Sequence, residues 1–411
     1  MRLLHFADLH LGVENYGRPN AATGLSTRLG DFLRTFDEVI DYAIAERVDA
    51  VLFAGDAFKT RDPNPTVQRA FAQRILRLSR AAIPTVLLVG NHDLPSVLSR
   101  ATSVDIYDTL AIEHVRVCRR LEHFTLETRA GPLQVVALPW VTRSALLARE
   151  DYQAASMEEV ERRLTESLGA ALEGFAAEVA ERPDVPAVLL GHLSLHGATY
   201  SSEQAIMLGR DLTLSRAALQ PAAYDYVALG HIHKHQQVGP DTPPVVYSGS
   251  LERIDFGEER EQKGFVVVEI TPGDQGQRRV EWAFRPVAAR RFVTLRLPAS
   301  AEDPLADLRR AIEARGDVRD AVVRAFVATT PEGAAKLRLP EVRRLLAEAG
   351  AAFVGQLGLE VERASRVRLP LERGEELDPA RMLARWLEAQ RVPAERRETL
   401  LRYAEPLLKD E

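Results

Sequence analysis

The chain has a single cysteine, Cys118, in 411 residues. That count excludes a disulfide framework and suits a reducing compartment. It also excludes soft thiolate metal sites of the zinc-finger or iron–sulfur kind. No apolar run approaches the roughly 18 residues needed to span a bilayer, so no membrane association is expected. No charged leader followed by an apolar stretch opens the sequence, which predicts no signal peptide and a cytoplasmic chain. Internal repeats and low-complexity stretches are also missing. What is present is 46% hydrophobic residues, enough to bury a large core, and a length that predicts two or three domains.

Charge is uneven. The net charge is −6, yet residues 284–368 hold sixteen Lys/Arg against eleven Asp/Glu. A local basic excess can follow a phosphate backbone. Helices with solvated Arg faces explain the same count equally well.

The informative feature is where the potential metal ligands fall. Eight such side chains lie in five patches, each where an apolar run stops. LLHFA leads into Asp8-Leu9-His10, AVLFAG into Asp56, and TVLLVG into Asn91-His92-Asp93. AVLLG leads into His192, and YVALG into His231-Ile232-His233. A short buried strand ending in a potential ligand, five times over, predicts a metal site above an α/β sheet, because ligands in such folds bind at the carboxyl ends of strands. Each patch alone is weak: D-x-H is a common accident, and GNHD is also a turn composition. His231 and His233 are two apart on an extended segment and so share a side. Two Asp, one Asn and five His form a hard oxygen and imidazole set, suited to Mn, Fe or Mg.

Over the first ~270 residues, apolar β runs alternate with amphipathic helices around Arg34–Arg47 and Val67–Arg80, which predicts layered α/β architecture. A long surface helix is expected from Met157 to about Ala180, with Ser156 and Glu159 as a capping box. TPGDQGQ reads as a turn between two late strands, GFVVVEI and RVEWAF, and a boundary follows near Arg285-Pro286. Residues 285–370 then read strand, helix, strand, helix, strand: RFVTLRL, EDPLADLRRAIEARG, AVVRAFVAT, EVRRLLAEAG and GLEVERASRVR. This module lacks histidine and cysteine. In the tail, 371–411, Asp378-Pro379 is a helix start, and Met382, Leu383, Trp386 and Leu387 make one apolar stripe. A second helix is expected from Pro393, presenting Leu400, Leu401 and Tyr403.

The order D-x-H, G-D, G-N-H-D, G-H, G-H-x-H resembles the calcineurin-like metallophosphoesterase superfamily from the start of the chain to about Ile270. Within it the likeness is to the SbcD-type DNA nucleases, carried by LLHFADLHLG, by GDAFKTRDPNPT, and by HIHKHQQ through VVYSGSLERIDFGEE. Protein phosphatases of the superfamily carry Asp-Arg-Gly soon after the second metal Asp, whereas Lys59-Thr60-Arg61 stands near that point here. The resemblance implies a layered sandwich of two mixed sheets flanked by helices over residues 1–284. It further implies a small α/β DNA-capping domain over 285–370, and C-terminal helices over 371–411 that grip an SbcC-type ATPase.

The resemblance also implies two Mn²⁺ ions, with Mg²⁺ or Fe²⁺ as alternatives. Asp56 would bridge them, Asp8, His10 and His233 would complete the first, and Asn91, His192 and His231 the second. A neutral Asn ligates without adding negative charge that repels a phosphate. His92 is then left over, free to aim at the scissile phosphate as a general acid. Asp93 could orient His92 or cap the following turn. His5, His114 and His123 read as structural, while His196 and His235 lie close enough to the ligand loops to touch substrate. The implied activity is Mn-dependent hydrolysis of DNA at double-strand ends, hairpins or single strands, in DNA repair, by a homodimer within a heterotetramer. The rival readings are a small-molecule metallophosphodiesterase and a DNA-end-binding scaffold with a silent site.

Overall fold

The computed structural model describes residues 1–95, 100–141, 157–201, 212–273, 277–361, 379–390 and 392–405. Its strands run in chain order as β1 (Arg2–Phe6), β2 (Ala50–Phe53), β3 (Thr85–Leu88), β4 (Val115–Cys118), β5 (Glu122–Thr128) and β6 (Gly131–Leu138). There follow β7 (Ala187–His192), β8 (Ser194–Leu195), β9 (Thr213–Leu214), β10 (Tyr226–Gly230), β11 (Gln236–Gln237), β12 (Val245–Tyr247), β13 (Gly264–Pro272) and β14 (Arg278–Pro286). Two six-stranded mixed sheets result, ordered β14-β13-β1-β2-β3-β4 and β11-β12-β10-β7-β6-β5. In the first, β1 to β4 are parallel, and β13 pairs antiparallel with both β1 and β14. In the second, β6, β7, β10 and β12 are parallel.

Side chains alternate across a strand, and that period assigns each residue to a layer. Leu3 of β1, Ala50 and Leu52 of β2, and Val86 and Leu88 of β3 face one cluster. Val188 and Leu190 of β7 and Tyr226 and Ala228 of β10 enter the same cluster from the second sheet. The intervening Leu4, Phe6, Val51, Phe53 and Leu87 face two helices on the opposite side. Leu189, Val227 and Leu229 face the helix Met157–Ala180. Strands apolar on both faces are what a sheet covered on both sides requires. The order of layers is helix, sheet, sheet, helix, the sandwich that the family resemblance implied.

The first sheet's helices are α1 (Thr27–Ala45) and α2 (Pro65–Arg80). Both begin earlier than hydrophobic periodicity predicted, at polar caps: Ser26 accepts from the Arg28 N–H, and Asn64 from the Val67 N–H ahead of Pro65. Their inner faces carry Phe32, Phe36, Val39 and Ile40 from α1, and Val67, Phe71, Ile75 and Leu78 from α2. Phe36 and Phe71 stack at 5.6 Å. Each such side chain, fully buried, stabilises by about 1.5–3 kcal/mol. The proposed cap Ser156 lies outside the described residues.

Chain contacts divide the protein into two compact units: Met1–Leu295 with Arg315–Ala325 and Arg343–Leu357, and Arg296–Ala314 with Phe326–Val342 and Gly358–Glu411. The segment after β14 forms β15 (Phe292–Pro298), β16 (Val322–Thr329) and β17 (Phe353–Val361), a three-stranded sheet in that order. Helices Pro304–Glu313, Pro331–Lys336 and Leu339–Glu348 intervene. The last strand begins five residues before the expected GLEVERASRVR, whose residues 362–368 lie outside the described set. Gly355 and Gly358 interrupt the alternation that would have marked its start. Helices Pro379–Ala389 and Ala394–Ala404 occupy the tail, and Asp378 also lies outside the described residues. Among the described residues no helix is long and apolar enough to cross a membrane.

Candidate metal centre

The five patches converge. Asp8 and His10 follow β1, Asp56 follows β2, and Asn91 and His92 follow β3, three neighbouring parallel strands of one sheet. His192 ends β7 and His231 and His233 follow β10, neighbours in the other sheet. The Asp8 N–H donates to Gly55 O at 3.0 Å and the His10 N–H to Asp56 O at 3.1 Å, so two loops run side by side. Asp8 ties the sheets together, since both its carboxylate oxygens accept the His231 N–H, at 2.9 and 3.0 Å.

Close approach explains the glycines before the donors. A Cβ on Gly55 would stand 2.4 Å from His192 Nδ1, and one on Gly90 would stand 2.1 Å from Asp56 Oδ1. The donors themselves are strained. Asp8, His10, Asp56 and His231 hold φ of 53°, 45°, 61° and 96°, a region non-glycine residues rarely adopt. Such strain, of order 1–3 kcal/mol per residue, persists where surrounding structure over-determines it.

Asp56 stands in the middle. Its Oδ2 is 3.6 Å from His10 Nε2 and 3.5 Å from His192 Nε2. On one side, His10 Nε2 and His233 Nε2 face each other at 3.0 Å, and donor atoms of Asp8, His10 and His233 lie within 4.8 Å of one another. On the other, Asn91 Oδ1 is 3.0 Å from His192 Nε2 and 3.1 Å from His231 Nδ1. The seven residues thus form two groups that meet at the Asp56 carboxylate, where donor atoms of Asp8, Asp56 and His192 also lie within 4.8 Å of one another. Burial works against charge on Asp56, but His192, His92 and His10 outweigh it and hold the carboxyl well below the usual carboxylate range. Burial alone would lower His192; Asp56 instead lifts it to about 9. Burial pushes Asp8 up to about 6 and His10 well below its ordinary value. Buried carboxylates with converging imidazole nitrogens and an amide oxygen are a donor set that fits hard divalent cations.

His92 is set apart. Its side chain is exposed, its N–H donates to Asp56 Oδ1 at 2.9 Å, and its Nδ1 lies 2.8 Å from Lys59 O. A carbonyl can only accept, so Nδ1 carries the proton and Nε2 is left to act. The ring lies edge-on to His10, centroids 4.8 Å apart. Beside it opens a cavity of about 450 Å³ lined by Lys59, Thr60, Arg61, Asp62, Asn91 and His92.

Asp93 does more than close its own turn. It accepts from Gly90 N at 3.1 Å, and also from Asp56 N at 2.9 Å and Ala57 N at 3.0 Å on the neighbouring loop. His5 is fully buried between the Tyr226 hydroxyl and Leu229 O. His123 meets Glu178 at 2.9 Å, and His235 packs on Phe284 with its Nδ1 on Tyr247 O. His196 is exposed. Sequence reasoning missed Trp140, whose ring lies 4.6 Å from that of His231. It follows the end of β6, a sixth strand end on the same side, where ALPW carries no ligating side chain. It also missed Glu258 and Lys263, which lie behind His233.

Residues 1–235, more than half the chain, match the calcineurin-like phosphoesterase family. The chain belongs to that family. This phosphoesterase is 29% identical to the SbcD subunit of the nuclease SbcCD from Bacillus subtilis (strain 168) over 288 residues, 67% of this chain and 68% of that protein. It is 29% identical to the protein of the same name from Rhodobacter capsulatus over 326 residues, 76% of this chain and 75% of that one. Against the DNA double-strand break repair protein Mre11 of Aeropyrum pernix identity is 30% over 263 residues, covering 62% and 55% of the two chains. Residues matching a family whose members are phosphoesterases therefore include all seven converging donors and His92.

Proposed function

We propose that this phosphoesterase is a Mn²⁺-dependent DNA nuclease, hydrolysing phosphodiesters at double-strand ends, hairpins or single strands and working with an SbcC-type ATPase in DNA repair. The observation that carries the reading is the length of its likeness to nuclease subunits. An alignment of 326 residues necessarily runs past the phosphoesterase match at 1–235, into chain that a bare phosphoesterase does not need.

In this reading Asp8, His10 and His233 hold one cation, Asn91, His192 and His231 the other, and Asp56 both. When bound, such cations would supply a nucleophile from water at neutral pH and absorb charge at the phosphate. Protonated on both nitrogens, His92 would donate from Nε2 to the leaving oxygen while its Nδ1–H stays on Lys59 O and fixes the ring. Lys59 and Arg61, lining the same cavity, attract the phosphate backbone. Residues 285–370 serve as the DNA-selecting cap, and 371–411 dock on the ATPase, giving a homodimer of the nuclease within a heterotetramer.

The test is to offer the purified chain with Mn²⁺ a labelled duplex, a hairpin, a single strand and a chromogenic phosphodiester. Cleavage of the DNA substrates is expected. Cleavage of the small ester alone would replace this reading with a small-molecule phosphodiesterase, and no cleavage of any would favour an end-binding scaffold.

A further inference from the structure

Behind His233 lies a buried ion pair that the metal centre itself does not require. Glu258 is 0% and Lys263 2% exposed, although they are among the residue types least often buried. Glu258 Oε1 is 2.8 Å from His233 Nδ1, and its Oε2 is 2.8 Å from Lys263 Nζ and 3.1 Å from the Ile254 N–H. Lys263 also donates to His233 O at 3.2 Å and to Glu261 at 2.8 Å, and Glu261 in turn takes the Ser201 hydroxyl. The Ser250 N–H donates to the same His233 carbonyl at 3.0 Å.

One residue is therefore held at both ends, by its ring and by its carbonyl, through one pair of opposite charges. Burying an ion pair rarely adds stability over an apolar pair of the same volume. Orientation is what it supplies here. A carboxylate paired with an ammonium can only accept, so His233 Nδ1 must carry the ring proton. Its Nε2 is then a bare lone pair, aimed at the point that His10 Nε2 faces from 3.0 Å away. An imidazole whose far nitrogen donates to a carboxylate is fixed in tautomer and made a stronger ligand.

We infer that Glu258, backed by Lys263, is a positioning residue that locks His233 with Nε2 toward the cation shared with Asp8 and His10, and so sets the affinity of that one ion of the pair. The inference rests on the metal-centre reading above and deepens it.

The experiment compares the full chain with Glu258→Gln. An amide can accept from Nδ1 or donate to it, so the tautomer is no longer dictated, while Lys263 keeps Glu261 as a charge partner. Mn²⁺ titration by calorimetry is expected to show two ions in the parent chain. In the variant, one should be held as before and the other weakened about 10–100-fold. In the metal-free proteins, nitrogen NMR of labelled histidines is expected to show His233 as the Nδ1–H form in the parent and as a mixture in the variant, the signal identified by its loss in His233→Gln. A merely structural Glu258 would lower the melting temperature and leave both readouts alone. Should Glu258→Gln not fold, the Glu258→Gln/Lys263→Met double variant removes both charges together and is expected to show the same split. Two ions bound with parental affinities, or an unchanged tautomer, would overturn the inference. A parent chain that holds fewer than two Mn²⁺ would instead overturn the metal-centre reading itself.

Discussion

The carboxylate of Asp93 accepts the backbone N–H of Asp56 at 2.9 Å, across 37 positions of sequence. The loop after β3 therefore fixes the loop after β2, and the residue between the two donor groups is placed by a neighbour that reaches neither. Burial, and then the charge of Asp56, push the Asp93 carboxyl up to about 6. Asp93→Asn keeps the shape but leaves one accepting oxygen for the N–H groups of Asp56, Ala57 and Gly90. Leaving a buried N–H unmet costs about 1–3 kcal/mol. We expect that loss in denaturant unfolding, together with Mn²⁺ affinity lowered roughly 10-fold. Unchanged affinity would show that Asp56 holds its place without the clamp.

Asp56 itself stands 3.5–3.6 Å from histidines of both groups. Asp56→Ala is expected to remove the ligand common to both cations and abolish hydrolysis. The fold should survive, since the deleted carboxylate faces other donors rather than the apolar layers. Calorimetry is the check: two Mn²⁺ still bound with parental affinity would refute the shared role.

His92 separates acid chemistry from metal holding. Its ring is exposed and anchored to Lys59 O, but it stays within reach of the cluster that His10 and Asp56 form. His92→Ala should keep two Mn²⁺ and lose about 10²–10⁴-fold in kcat on DNA, the range general acids supply. Loss of an ion in this variant would make His92 a ligand.

Much of this was legible because each donor sits within four residues of a strand's end, so an apolar run and a donor are nearly contiguous in the sequence, with a glycine between them in four of the five patches. Gly55-Asp56 and Gly90-Asn91 record in two letters an approach of backbone to side chain that only glycine permits. The partners of those donors were not legible, because they come from elsewhere in the chain. Nothing near Glu258 marks it as the acceptor for His233, 25 residues earlier, and nothing near Asp93 marks its bond to Asp56. Trp140 was passed over because a search for ligating atoms cannot see a ring that only packs. The start of α1 was placed late because Ser26-Thr27 is a polar cap with no apolar period, and the cap rather than the stripe sets where a helix begins.

His5 gives the fold a pH dependence outside the donor set. Burial holds it down to about 3, against an ordinary value of 6.5. The unfolded chain therefore binds a proton that the folded chain refuses between those limits. The stability His5 contributes is complete above pH 6.5 and is lost as pH falls toward 3, by up to about 4 kcal/mol. His5→Gln, which can still meet the Tyr226 hydroxyl, should lose less stability than the parent between pH 6.5 and 4 in urea unfolding. Parallel curves for the two proteins would mean that His5 does not resist protonation.

The tail carries the partner prediction. Leu387 is buried, with Met382 and Leu383 half-buried, so part of the apolar stripe is already covered where the helices Pro379–Ala389 and Ala394–Ala404 meet. Trp386 and Tyr403 remain 45% and 72% exposed. Large aromatic side chains are frequent anchors in interfaces, where one truncation can cost 2 kcal/mol or more. In the nuclease reading they dock on the SbcC-type ATPase. Trp386→Ala and Tyr403→Ala together should leave the melting temperature within about 2 °C of the parent, since exposed substitutions shift stability little. Mn²⁺-dependent cleavage of simple DNA substrates should persist, and co-purification with the ATPase should fall at least 30-fold in affinity. If the double variant melts several degrees lower, these rings belong to the chain's own packing. If it binds the ATPase with parental affinity, the docking surface lies elsewhere.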